Sequence, residues 1–302
     1  MATLYDELLA HKNNKNDRRV FGLVLQGGGM RAVYSAGAIA PLIKYGFADT
    51  FEHVFGASAG AINGAYFLGA DELTMDSYTN DLTTANFINL LRKDKKVDID
   101  YLVDLALKEK RPVNINNLKK SHSKLHVVLT DAHTGKKVVL SDHDKFADIY
   151  EEFRATTALP ILYDKPVLVN NKWYIDGGVS DLLPIDVAIK IGCTDIVVVM
   201  THQISSYKFN QQHKRLVKRL MRYFAKNQPK LIRDKLPTNE KLLEMNLRRL
   251  RHPMKKVRFY VLEPSQEEYL ISLSTIDKLK VETLAKMGVQ DMDTFLSKQL
   301  SF

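Results

Sequence analysis

The feature that most constrains the fold is a unit that occurs twice near the start of the chain: a short apolar run, a turn of small residues, then a helical pattern. Val20 to Leu25 is apolar and leads into Gly27-Gly28-Gly29. A helical pattern follows from about Met30 to Tyr45, with Pro41 placed to shorten or kink it. His53 to Ala57 is the second run, and it ends at Ser58. Another helix is predicted from Ala59 to about Leu68. Apolar runs this short, bounded by turns, read as buried strands. Strand, turn and helix in immediate succession require parallel strands joined by crossover helices. The expected class is therefore α/β, with helices on both sides of a mostly parallel sheet.

Downstream, Asp71 to Lys110 carries few turn signals and is expected to form a helical lobe or cap beside the sheet. Leu125 to Leu129 and Lys137 to Leu140 read as a hairpin around Thr134-Gly135. Lys145 to Thr156 reads as a helix that stops before Pro160. Val167 to Val169 and Trp173 to Ile175 form a second hairpin around Asn170-Asn171, which delivers Asp176-Gly177-Gly178. Ile185 to Ile191 reads as a helix, Asp195 to Met200 as a buried parallel strand and Val257 to Leu262 as a last strand. Thr275 to Leu300 reads as one or two terminal helices. The expectation is one domain over 1–302, with its core at about 20–205.

Composition removes several classes. With 45% hydrophobic and 26% charged residues over 302 positions, the chain is neither disordered nor collagen-like. A single cysteine, Cys193, forms no internal disulfide and no cysteine-based zinc site by itself. It reads as a small buried residue in a reducing, intracellular setting. The N-terminal stretch lacks the apolar core of a signal peptide. The most apolar long segment, Gly56 to Ala70, is short of the ~20 residues of a membrane span and is broken by Asn63. A cytoplasmic protein is expected, with peripheral contact at the inner membrane face left open.

Three features could carry chemistry. Gly56-Ala57-Ser58-Ala59-Gly60 matches G-x-S-x-G. A serine on a sharp strand-to-helix turn projects its oxygen into open space, and its neighbours must be small to avoid clashes. The helix after it aims free backbone N–H groups toward developing negative charge. Gly27-Gly28-Gly29-Met30-Arg31 is the second feature. Its backbone N–H groups suit either an oxyanion hole or a phosphate cradle. Gly27-x-Gly29-x-x-Ala32 also satisfies a loose dinucleotide pattern. That pattern wants an acidic residue ending the next strand, but Asp49 and Glu52 precede it. Asp176-Gly177-Gly178 is the third feature; alone it would read as a turn, as would Asp131, Asp164 and Asp181.

Taken together and in this order, the three features resemble the patatin-like phospholipases and acyl hydrolases, particularly the compact bacterial members. Arg154-Ala155-Thr156-Thr157-Ala158-Leu159-Pro160 is similar to a further stretch of that family, so the resemblance covers roughly Phe21 to Met200. It implies a three-layer α/β/α fold around a central sheet. It places Ser58 on the nucleophile and Asp176 on its partner in a Ser-Asp dyad. Gly27, Gly28, Gly29 and Arg31 fall on the oxyanion-hole loop. Gln26 and Ala32 depart from the family's usual residues beside that loop. The implied activity is hydrolysis of phospholipid, lysophospholipid or related lipid esters, with no metal or cofactor.

A Ser-Asp-His triad of the α/β-hydrolase kind is the rival, since Ser58, Asp176 and His202 stand in the right chain order. Against it, only one clear strand precedes the nucleophile strand. His122 and His126 have i, i+4 spacing, but His126 begins a predicted strand. Ser141-Asp142-His143-Asp144 reads as a solvated loop rather than a metal site.

The charge is uneven. The chain carries 44 Lys+Arg against 35 Asp+Glu, a net of +9. Tyr207 to Arg258 alone holds 17 basic and 3 acidic residues, a net of +14, leaving −5 for the rest. Within it, Lys214 to Lys226 places Leu216, Val217, Leu220, Met221 and Phe224 on one helical stripe, with basic residues around it. Such a helix either packs on the core or lies on an anionic membrane, so peripheral membrane contact through 207–258 is an expectation. A non-enzymatic membrane-binding or nucleic-acid-binding protein is the alternative of a different class, but no nucleic-acid motif accompanies the charge. Nothing in the sequence sets the oligomeric state.

Overall fold

The two opening units are β1 (Phe21–Leu25) with α2 (Val33–Lys44), and β2 (His53–Ala57) with α3 (Ala59–Leu68), in a computed structural model of the chain. The structure describes residues 2–14, 16–71, 73–141, 149–160, 162–163, 165–207, 239–252 and 254–300. The Lys214 to Lys226 stripe, Asp142 to Asp144 and Asp164 lie outside these residues.

Before β1 comes a helix with no sequence-based expectation, α1 (Leu4–Asn13). Thr3 caps it in a reciprocal box with Asp6, which satisfies two N-terminal donors at once. After α3 come α4 (Leu73–Asp76), a π-turn at Ser77–Asp81, a π-helical segment at Tyr101–Lys110, and α5 (Ile115–Lys120). The predicted lobe is therefore only partly helical. Then come β3 (Lys124–Asp131), β4 (Lys137–Leu140), α6 (Ile149–Thr157), β5 (Val167–Val169), β6 (Lys172–Asp176), α7 (Ile185–Ile191) and β7 (Asp195–Val199). The chain ends in α8 (Asn239–Arg251), β8 (Arg258–Leu262) and α9 (Lys278–Ser297).

The strands lie in the order β5-β6-β3-β2-β1-β7-β8, with β4 paired to β3. β1 pairs in parallel with β2 and β7, β2 with β3, and β7 with β8. Only β4 and β6 run against the sheet direction. β1 and β7 are buried along their whole length, which is why they read as continuous apolar runs. Their side chains alternate between two cores. Leu23, Leu25, Val197 and Val199 pack with α2, α3 and α9. Val24, Ile196 and Val198 pack with Ile185, Val187 and Ala188 of α7 and Leu247 of α8. This is the three-layer α/β/α arrangement expected from the sequence. β8 and α9 belong to the sheet and the main core, so the described fold extends past 205.

Pro41 sits inside α2 without ending it. The helix begins later than its apolar pattern, because Gly29–Ala32 forms a tighter 3-10 turn first. At Asn170 and Asn171 both residues take positive φ, at 50° and 62°. That conformation matches the twist of a two-residue hairpin, and asparagine tolerates it well.

The register of β3 brings two strand ends together. Val127 pairs with Gly56 of β2 on one edge and Leu140 of β4 on the other. Leu129 pairs with Val138 of β4 and Asp176 of β6. A strand has two edges, so β2 and β6 share one edge of β3 end to end. β2 runs up that edge until Ala57 meets Val128. β6 comes down it until Asp176 meets Leu129. The two strands stop facing each other, and Ser58 and Asp176 stand at the junction.

Candidate active site

Ser58 takes φ 54° and ψ −135°, which puts a non-glycine residue in strained backbone space between β2 and α3. Strain of this kind costs of order 1–3 kcal/mol and persists only where the surroundings enforce it. Here they do. A Cβ on Gly60 would stand 2.3 Å from the Leu25 carbonyl oxygen, so the turn closes only with glycine there. The Ser58 N–H donates to Thr156 Oγ1 at 2.8 Å, and the Thr156 hydroxyl donates to the Val128 carbonyl at 2.7 Å. Thr156 thus ties the serine turn to β3. It lies in the stretch from Arg154 to Pro160, but its role as a backbone clamp carries no local sequence signal.

The Ser58 hydroxyl donates to Asp176 Oδ2 at 2.9 Å. The other carboxylate oxygen accepts the Gly178 N–H at 2.6 Å. Asp176 is buried, and burial pushes its pKa up to about 7 against the lowering effect of those two hydrogen bonds.

The glycine loop borders the same space. Gly28, Gly29, Met30 and Arg31 line a cavity of about 230 Å³ together with Ser58, Ala59, Asp176 and Gly178. Gly29 has φ +56°, and a Cβ there would strike the Leu273 carbonyl oxygen at 2.5 Å. That carbonyl accepts the Met30 N–H at 3.0 Å. The Gly27 N–H faces the Leu182 carbonyl at 3.5 Å, and the Arg31 N–H donates to the Gly28 carbonyl. Among the described residues, the N–H groups of Gly28 and Gly29 have no acceptor, so they are the unspent donors of the loop. Gln26 anchors the start of the loop: its Oε1 accepts from Thr201, and its Nε2 donates to the Tyr207 hydroxyl at 2.8 Å. The Arg31 Nε is buried without a partner among the described residues, and burial pulls the guanidinium pKa down.

Away from the polar end the cavity is apolar. Ile62 and Tyr66 of α3 form one wall; Leu82, Phe87, Ile88, Val97, Ile99, Leu102 and Leu107 of the lobe form another. The lobe between α3 and α5 is therefore a wall of the greasy chamber that Ser58 also lines.

Other sequence candidates fall elsewhere. His202 meets the Tyr207 ring edge-on with centroids 5.6 Å apart and hydrogen-bonds to neither Ser58 nor Asp176. Burial first, then the Arg31 charge, lowers its pKa to about 4. His126 is buried in β3, stacked on Phe55 and hydrogen-bonded to His53 and Ser141. Among the described residues no cluster of His, Cys, Asp or Glu could hold a metal ion. Cys193 is buried, and burial pushes its thiol up to about 12. Asp131 is a turn residue whose Oδ1 accepts the His133 and Thr134 N–H groups. Asp181 is not: it is buried and takes a 2.8 Å ion pair from Lys137, which also bonds Asp186.

An α/β sheet with a strained serine at a strand-to-helix elbow, bonded to a buried aspartate, defines a hydrolase-like architecture. The chain belongs to the patatin-like phospholipases, whose family model matches residues 23–189. An uncharacterized protein of Escherichia coli, YjjU, is 26% identical over 207 residues, covering 64% of this chain and 55% of that protein. A probable lipid hydrolase, 463L, of Invertebrate iridescent virus 6 is 29% identical over 213 residues, covering 62% of this chain and 72% of that protein. The chain thus spans little more than half the length of the bacterial relative. Among solved structures, VipD from Legionella pneumophila aligns over 92% of this chain and 66% of its own, at 13% identity and a TM-score of 0.46.

Proposed function

We propose that the protein is a lipid acyl hydrolase that uses Ser58 as nucleophile and Asp176 as its base. The observation that carries this reading is the 2.9 Å hydrogen bond from Ser58 Oγ to Asp176 Oδ2 in the lining of a mostly apolar cavity. The viral relative described as a probable lipid hydrolase and the family's phospholipase description point the same way.

The Ser58 oxygen attacks the ester carbonyl carbon as its proton passes to Asp176 Oδ2. The carbonyl π-electrons move onto oxygen, and the Gly28 and Gly29 N–H groups receive that negative charge, with Arg31 adding positive potential. One such donor is typically worth ~3–4 kcal/mol of transition-state stabilisation. When the ester C–O bond breaks, Asp176 returns the proton to the departing alcohol. Water then attacks the acyl-serine, gives a proton to Asp176 and releases the fatty acid as Ser58 is reprotonated. An ordinary carboxylate, with a pKa of about 3.9, is a poor base at neutral pH. Burial without a cation, which holds Asp176 at about 7, remedies that. The acyl chain lies along Ile62, Leu82, Phe87 and Leu102, where each buried methylene contributes about 0.8 kcal/mol.

The test is acyl release from a short-chain chromogenic ester by purified wild type, Ser58→Ala and Asp176→Asn. Loss in both variants with intact folding supports the dyad. A Ser58→Ala enzyme at wild-type rate overturns the reading. Activity that survives Asp176→Asn and vanishes in His202→Ala moves the base to His202.

A further inference from the structure

Leu91 is 95% exposed and Leu90 is 53% exposed. They sit together at the tip of the loop between Ile88 and Val97, two residues that form an antiparallel bridge. The tip is not a loose end. The Asn89 N–H donates to the Lys96 carbonyl at 2.8 Å, and the Leu91 N–H to the Asn89 side chain at 3.1 Å. The Arg92 guanidinium spans the base, donating to the carbonyls of Ala85, Asn86 and Lys95 at 2.6, 3.0 and 3.3 Å. A rigid loop that presents two adjacent leucines to water forgoes burial that a small rearrangement could supply, so another apolar phase is the natural partner.

Two observations choose that partner. The first is charge. Between Asn89 and Lys96 stand Arg92, Lys93, Lys95 and Lys96 against Asp94, a net of +3 in eight residues, of which Arg92 also pairs with Asp98 and Lys95 with Asp100 just beyond the loop. Exposed leucines on a loop of net positive charge match an interface of anionic head groups over hydrocarbon. The second is continuity. Phe87, Ile88, Val97 and Ile99, which flank the tip on both sides, line the same cavity as Ser58.

We propose that the loop 89–96 is a membrane-docking tip, inserting Leu90 and Leu91 into the surface of an anionic phospholipid bilayer so that an acyl chain enters the cavity directly from the leaflet. The inference rests on the lipid hydrolase reading for its consequence and on the loop's own geometry for its location. It is separate from the 207–258 segment, since none of these residues belongs to it.

The experiment compares wild type with L90S/L91S, and with Leu168→Ser as control. Leu168 is an exposed leucine of β5, 47% accessible, that does not border the cavity. Vesicles of phosphatidylcholine, with and without phosphatidylglycerol, serve for sedimentation binding and fatty-acid release, and a soluble short-chain ester serves in parallel. The expected result is at least a tenfold loss of L90S/L91S binding to the anionic vesicles, a matching loss of vesicle hydrolysis, and an unchanged soluble-ester rate. Leu168→Ser should match wild type throughout. Leu91→Trp in a Trp173→Phe background should show blue-shifted emission on anionic vesicles. Unchanged binding by L90S/L91S, or no emission shift, overturns the proposal. Equal loss on both substrates also overturns it, because the loop would then support the cavity and not the docking. If wild type hydrolyses neither substrate, the lipid hydrolase reading fails, while the emission of the Leu91→Trp variant still decides the docking.

Discussion

Asp176, the last residue of β6, and Asp181 lie five positions apart, and both are buried, yet their surroundings differ. Asp181 has a lysine: the Lys137 ammonium stands 2.8 Å away and is shared with Asp186. Burial still raises Asp181, to about 6, but Lys137 opposes the shift, and in Asp186 the same lysine overrides burial and lowers the pKa. Asp176 has no cation among the described residues, only a hydroxyl and an N–H, and sits at about 7. A compensated carboxylate holds a loop in place. An uncompensated one is left able to exchange a proton near neutral pH. The Lys137 cluster thereby anchors the turn that follows Asp176, since the Asp181 N–H also bonds the Gly177 carbonyl.

The widest break in this contrast should come in rate. Asp176→Asn is expected to lower kcat by at least ~10³-fold with little change in fold, whereas Asp181→Asn should lower kcat far less. Steady-state kinetics on one soluble ester separates the two; equal losses would make Asp176 merely structural.

Stability should run in the opposite direction and reveal the linkage of Asp176. Its folded pKa of about 7 lies above the ordinary value of 3.8. Its neutral form therefore favours folding below pH 4, and that contribution disappears as pH rises through 7. Asp176→Asn should gain stability over wild type between pH 5 and pH 8, up to about 4 kcal/mol for a shift of this size. Asp181→Asn should gain less than Asp176→Asn at neutral pH, because Lys137 offsets part of the burial and holds Asp181 at about 6, closer to its ordinary value. Urea unfolding at several pH values reads both.

The same titration sets the pH profile of activity. kcat/KM should rise as Asp176 ionises, with an apparent pKa of about 7, and no limb at about 4 should report His202. A profile rising at the usual carboxylate value would place the working base elsewhere.

The smallest effect is expected at Ser58 itself. Ser58→Gly removes the oxygen but also relieves the positive-φ strain, so the inactive variant should be more stable by about 1 kcal/mol. Ser58→Ala keeps the strain and should gain nothing from that source. If the two variants unfold alike, the turn is not strained.

Much of this protein was legible in the primary structure. The two strand–turn–helix units dictated parallel strands, because a short strand feeding a helix returns to the same sheet only by a crossover. The glycine turn, the G-x-S-x-G elbow and Asp-Gly-Gly lie in chain order, and steric need for small residues made each visible. The hairpin at Asn170-Asn171 announced itself through residues that tolerate positive φ. What the chain order did not hold is distance. Ser58 and Asp176 stand 118 positions apart, and they meet because β2 and β6 end against one another on a single edge of β3. Thr156 as the clamp of the serine turn, Lys137 as the partner of Asp181, and the lobe as the cavity wall arise in the same way. Each is a contact between elements remote in sequence, decided by register and packing. Local patterns are written by sterics and backbone preference within a few residues. Partners, burial and the pKa values they set exist only once the layers close.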